Sequence, residues 1–172
     1  MVKKIIWTLI FTLAATVLQS TVLSRLVLHI HAVPDLALCI LVYSAYVNGI
    51  MTGQLSGFFS GFLMDFLSAS PLGLNALLRT LTGALAGLIK DTFYLDFFFL
   101  PMALCAGATI LKALGFFLLH LLFPDTVPTY VLTSLVYWIE LALNTLSAPI
   151  LFGLLRLFKP LLAKPKEGAY DF

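Results

Sequence analysis

The sequence predicts an all-α, polytopic membrane protein: a compact bundle of six transmembrane helices. Three observations predict it. Of the 172 residues, 61% are hydrophobic and 10% charged, against about half and about a quarter in soluble domains. The mean hydropathy is +1.05. Too little polar surface remains to face water, so lipid is the natural solvent, and there every backbone polar group has to be satisfied inside a helix. Finally, the apolar residues fall into six runs separated by short segments rich in proline, glycine and charge.

A membrane-spanning helix needs about 20 residues. The first runs from Lys4 to about Ser24. Its basic start resembles a signal peptide, but the run carries no A-x-A cleavage site and further apolar runs follow, so the helix is expected to be retained. Residues 25–35 hold Arg25, His29, His31 and Pro34 and form a loop. The second helix runs from Pro34, a residue suited to the first turn, to about Ile50. The third spans Gly53 to Ser68, and Ser68 to Gly73 is a tight turn. The fourth spans Leu74 to Lys90, and Asp91 to Asp96 is a short acidic loop. The fifth covers Phe97 to Phe123 and ends at the Pro124–Pro128 break. The sixth covers Thr129 to Phe158. Residues 1–160 form one transmembrane domain, and 161–172 a short polar cytoplasmic tail. The second, third and fourth helices are short and closely joined. Such segments often mark a functional centre in membrane proteins, and a thin or tilted bundle that binds nothing is the alternative.

Basic residues near helix ends set orientation. Lys3, Lys4, Lys90, Arg156, Lys159, Lys164 and Lys166 share the side of both termini, and only Arg25 lies on the other. Both termini are therefore expected in the cytoplasm. A net charge of +2 is too small to imply nucleic acid. Cys39 and Cys105 sit in apolar runs and read as buried small hydrophobes.

Gly53, Gly57 and Gly61 recur every fourth residue and lead to Asp65, with Gly83 and Gly87 on the next helix. Glycines in register leave a flat face that another helix approaches closely, either within the chain or from a partner. Asp65, Arg79, Lys112 and Glu140 lie at membrane depth, where an Asp, Lys or Arg costs about 2.5 to 3.5 kcal/mol before pairing. Asp65 and Arg79 flank the 68–73 turn at similar distances, which pairs them. Lys112 and Glu140 are placed alike about the proline break. Thr133, Tyr137, Glu140, Asn144 and Ser147 form an inward polar stripe, and Thr8, Thr12, Thr16 and Ser20 a weaker one. These groups read either as a relay or substrate site or as glue that fixes helix register. The absence of a visible energy-coupling module favours glue.

No catalytic, metal-ligating or cofactor-binding set is legible. Ser56-Gly57 lacks the preceding glycine of a membrane serine protease, Gln54 standing there instead. His120 falls near the opposite surface, whereas a nucleophile needs its base within hydrogen-bond reach. His29-x-His31 has no acid or Cys to complete a metal site.

Gln19-Ser20, Val33-Pro34-Asp35-Leu36, the run from Gly57 to Asp65 and Ser70-Pro71-Leu72-Gly73-Leu74 together resemble the rod shape-determining protein MreD family. The resemblance covers roughly residues 19–87; beyond it only hydropathy matches, so Lys112 and Glu140 are not carried over as family positions. It implies a non-catalytic subunit of the bacterial inner membrane, embedded in membrane lipids, that serves the elongasome and cell shape. Such proteins bind MreC, and through it link MreB filaments to peptidoglycan synthesis by RodA and its penicillin-binding transpeptidase. Analogy suggests a two-plus-two hetero-oligomer. The glycine face and the Pro34-Asp35 segment are the expected contacts with an MreC-type protein. The family's fold resembles the S components of energy-coupling factor transporters, so a solute-binding transporter subunit is the alternative. Ala14 and Ala15 are adjacent rather than in the Ala-x-x-x-Ala spacing by which S components dock. A third reading, an ion or lipid carrier, rests on the buried charges alone.

Overall fold

In the computed structural model, residues 2–19, 32–68, 70–90, 98–127, 134–158 and 162 are described. Their six helices are α1 (Val2–Leu18), α2 (Leu36–Asn48), α3 (Ile50–Leu67), α4 (Leu74–Leu88), α5 (Phe99–Leu122) and α6 (Leu135–Leu157). No strand occurs among the described residues. The fold is all-α, in line with the six apolar runs.

Local chemistry moves several boundaries from their expected places. The second helix starts after Pro34, because the Asp35 side chain caps it by accepting the Leu38 N–H at 3.0 Å. The third begins at Ile50 rather than Gly53, because Gly49 turns the chain in one residue with φ +95°. That value is open to glycine and strained for other residues. Ser134 caps α6 through the Tyr137 N–H. Residues 25–31 of the expected 25–35 loop, the 91–96 loop, the start of the sixth helix at Thr129 and the end of the first at Ser24 lie outside the described residues.

Residues 37–46 of α2 are buried without a break. A helix that is apolar on every side belongs in the interior, and α2 touches all five others, which surround it in the order α1, α3, α4, α5, α6. Helices consecutive in the chain run antiparallel. Thr8 near the start of α1 meets Ser44 near the end of α2, and Gly87 near the end of α4 meets Ile50 at the start of α3. One face of the bundle therefore holds the α1 start and the α6 end. The opposite face holds the turn before α4 and the end of α5, and Asp35 is buried on that side of the bundle.

By length and apolarity α5 and α6 are long enough to cross a membrane, while α1, α2 and α4 are shorter apolar helices. The 13 residues of α2 reach only about 20 Å, short of a hydrocarbon core about 30 Å thick. The chain before it is non-helical yet buried at Ala32, Pro34 and Asp35. Irregular backbone at membrane depth is tolerated only where protein covers it. Outward, Ile10, Phe62, Leu81, Leu118 and Ile150 are exposed, as suits the lipid-facing shell of an integral membrane protein.

Helices α3 and α4 meet backbone to backbone. A Cβ on Gly53, Gly57 or Gly61 would run into the carbonyl oxygen of Gly83, Arg79 or Asn75 in turn. The glycine face is thus filled by α4 and is not open to a partner. On the buried face of α1, Thr8 bonds Ser44 at 2.7 Å, while Thr12 and Thr16 bond carbonyls of their own helix. At the far end Leu162 is buried, and Asn48 Nδ2 donates to its carbonyl oxygen at 2.6 Å. The rest of the expected tail, 161 and 163–172, lies outside the described residues.

Candidate functional site

The polar groups of the interior converge on the first turn of α2. Asp35 is buried. Its carboxylate accepts from Arg79 Nη2 of α4 at 2.9 and 3.2 Å and from Lys112 Nζ of α5 at 3.0 Å. Lys112 Nζ also reaches Glu140 Oε1 of α6 at 2.8 Å. Among the described residues, these two cations and two carboxylates make a network with no net formal charge. That balance matters, because an unpaired charge in low dielectric costs several kcal/mol. A carboxylate at a helix N-terminus is further favoured by the helix dipole.

A second layer of hydrogen bonds holds the network's backbone. Asn144 Oδ1 accepts the Asp35 N–H at 2.7 Å, and its Nδ2 donates to Thr109 Oγ1 at 2.9 Å. Gln19 Oε1, just past α1, accepts the Leu36 N–H at 3.1 Å. Side chains from α1, α4, α5 and α6 are therefore fastened at one point. Lys112 lies ten residues before the end of α5 and Glu140 five after the start of α6. These offsets place the network about 8 to 15 Å below the face opposite the termini. Arg79 Nη1, also buried, has no hydrogen-bond partner.

The expected pairing of Asp65 with Arg79 is overturned. Asp65 accepts the N–H groups of Gly73, Asn75 and Ala76, the Asn75 amide and the Ser70 hydroxyl, at 2.9 to 3.2 Å. It caps the start of α4, where unpaired N–H groups need acceptors. Arg79 projects instead from the α4 face turned to α2. Lys112 and Glu140 do meet, with Asp35 as a third partner. Tyr137 and Asn144 are both buried on α6, Asn144 within the network. Pro34 and Asp35, expected at a partner contact, are buried inside the bundle.

The part that sequence reasoning missed is the role of Asp35 as the hub. One signal was available: an acid directly before a helix that is apolar all round has to find its counter-charges inside. Ser56 Oγ is buried without a hydrogen-bond partner, and His120 Nδ1 is held 2.8 Å from the Val127 carbonyl oxygen. Among the described residues no group of three or more His, Cys, Asp or Glu is placed to hold a metal. His29 and His31 lie outside them. The arrangement fastens helices.

The family model described as rod shape-determining protein MreD matches residues 1–158. No curated protein and no solved structure matches.

Proposed function

The chain belongs to the MreD family of non-catalytic, shape-determining membrane proteins, and we propose that it is an adaptor of the bacterial inner membrane. In this reading it binds an MreC-type protein and so links MreB filaments to peptidoglycan synthesis by RodA and its transpeptidase. The observation that carries the adaptor reading is the network around Asp35. Its charges are balanced within the chain, which suits a rigid framework better than a relay. With the glycine face filled and Pro34 buried, recognition falls to the outward helix faces and the short loops. Contacts made in lipid rest on close packing and a few polar groups.

Both termini are assigned to the cytoplasm on the basic residues at that end. Labelling of single cysteines at Lys4 and Lys164, in a chain lacking Cys39 and Cys105, checks this. Both positions should resist a membrane-impermeant reagent in intact cells, and labelling of position 164 from outside overturns the assignment. The adaptor role is tested by depletion in the native host. Cells should lose their rod shape, and an MreC-type protein should co-purify with the tagged chain. Unchanged cell width with impaired uptake of a vitamin or metal would favour a transporter subunit instead.

A further inference from the structure

The chain has five carboxamides, and four of them are used inside it. Gln19 and Asn144 accept N–H groups at the start of α2, Asn48 donates to the Leu162 carbonyl oxygen, and Asn75 donates to Asp65 and Ser70. Gln54 is the fifth. It is exposed on the outward side of α3 and bonds no described residue.

Its place makes that unusual. Gly49, just before α3, lies against the Lys90 stem, so the membrane surface on this side is near the start of the helix. Gln54 stands one turn further in, about 6 Å along α3. Around it Ile50 is 41%, Met51 64% and Phe58 47% exposed, and these belong to the lipid-facing shell. A carboxamide brings one acceptor oxygen and two N–H donors. Hydrocarbon satisfies none of them, and an unpaired polar group in apolar surroundings costs free energy. The helix beneath is held firmly, because Gly53 and Gly57 are seated on the α4 backbone. Further along the same face, the Phe58 and Phe62 rings stack with centroids 6.1 Å apart, and Phe66 meets Phe62 edge-on at 4.9 Å. Side chains already ordered against one another lose less freedom when something packs on them.

We propose that the outward face of α3 is a contact between two copies of this chain, in which the two Gln54 amides bond to each other. The amide selects the occupant. Its donor and acceptor lie side by side, so two carboxamides exchange two N–H···O bonds and each completes the other. Two copies inserted the same way round are related by a two-fold axis along the membrane normal. A two-fold contact sets the same surface on both sides, so it brings Gln54 opposite Gln54 at one depth. A helix of any other protein meets this amide only if it carries a polar group at that depth. In lipid, close packing and interhelical hydrogen bonds from residues such as Gln drive association. The Phe58 ridge supplies the first and Gln54 the second. The two sides of α3 then serve different neighbours: glycines toward α4, Gln54 toward the second copy.

The test follows Förster transfer between full-length chains in liposomes over a range of protein-to-lipid ratios. Each chain carries its label on a single cysteine in place of Lys164, with Cys39 and Cys105 removed. Transfer should fall as lipid is added, as a reversible dimer requires. Gln54→Leu, at an exposed position, should leave helix content unchanged and weaken the dimer about tenfold. That factor corresponds to ~1.4 kcal/mol, within the range of two interhelical hydrogen bonds. Gln54→Asn, which keeps an amide, should fall between the two. Under mild oxidation Met51→Cys should cross-link to its own copy, and Ile150→Cys, on the exposed side of α6, should not. Three results would overturn the proposal: no transfer at any ratio, equal cross-linking at the two positions, or one midpoint shared by the native chain and Gln54→Leu. Loss of a co-purifying MreC-type protein in Gln54→Leu, with transfer unchanged, would assign the amide to that partner and overturn it as well.

Discussion

The α3–α4 seam and the junction around Asp35 fasten helices in opposite ways. At the seam, Gly53, Gly57 and Gly61 let two backbones touch with no side chain between them. At the junction, long charged side chains reach across the interior to Asp35 from α4 and α5. Lipid explains why both are needed. Apolar side chains gain little by leaving lipid for one another, so association rests on close packing and polar contact. The seam supplies the first and the junction the second. They also fail differently: the seam is broken by adding atoms, the junction by removing one partner and stranding the rest.

The largest expected effect is at the junction. Asp35→Ala leaves Arg79 and Lys112 with Glu140 as the one remaining carboxylate of the network, and breaking a buried pair in this way costs about 3 to 5 kcal/mol. Unfolding in detergent should show it as loss of most folded protein. An effect no larger than that of an exposed substitution would remove the hub from the comparison. Next comes the seam. Gly57→Leu forces α3 and α4 apart, and overpacking of this kind costs about 1 to 3 kcal/mol. Gly107→Leu, on an open surface, should leave stability near that of the native chain. Equal losses in the two variants would show that glycine content, and not backbone approach, matters.

A double-mutant cycle sharpens the junction itself. Lys112→Met with Glu140→Gln should be more stable than the two single changes predict by addition, with a coupling of about 0.5 to 3 kcal/mol. Lys112→Met alone should be milder than Asp35→Ala, since Asp35 retains Arg79. The smallest expected effect is an absence of coupling. Asp65→Asn turns one of two acceptor oxygens into a donor that faces N–H groups and so weakens the α4 cap, and combined with Arg79→Met it should add within about 0.3 to 0.5 kcal/mol. Coupling beyond that range would mean that the cap and the network act together.

The pairing of Asp65 shows where sequence reasoning stopped. Distance from a turn gives only a rough depth along an antiparallel pair: Arg79 lies across from Gly57, about two helical turns from Asp65 along α3. Depth leaves open the direction in which a side chain points around its helix. Asp65 points to the α4 N-terminus and Arg79 to α2. For Lys112 and Glu140, depth and direction agree, and their contact was legible from the proline break between them. Asp35 reads from the sequence as a contact for a partner protein, because its partners within the chain lie 44 and 77 residues away and no local pattern says which they are.

The sequence by itself determined the solvent, the number of helices, most of their ends and the close approach at the glycines. Each of these follows from composition, from run length or from a spacing of four residues, which are properties of the chain read a turn or two at a time. The arrangement of five helices around α2, the use of the glycine face within the chain, and Asp35 as the point where four charges cancel were decided by the tertiary structure. They depend on which faces of distant helices meet, and that choice is made only when all the buried polar groups have to find partners at once.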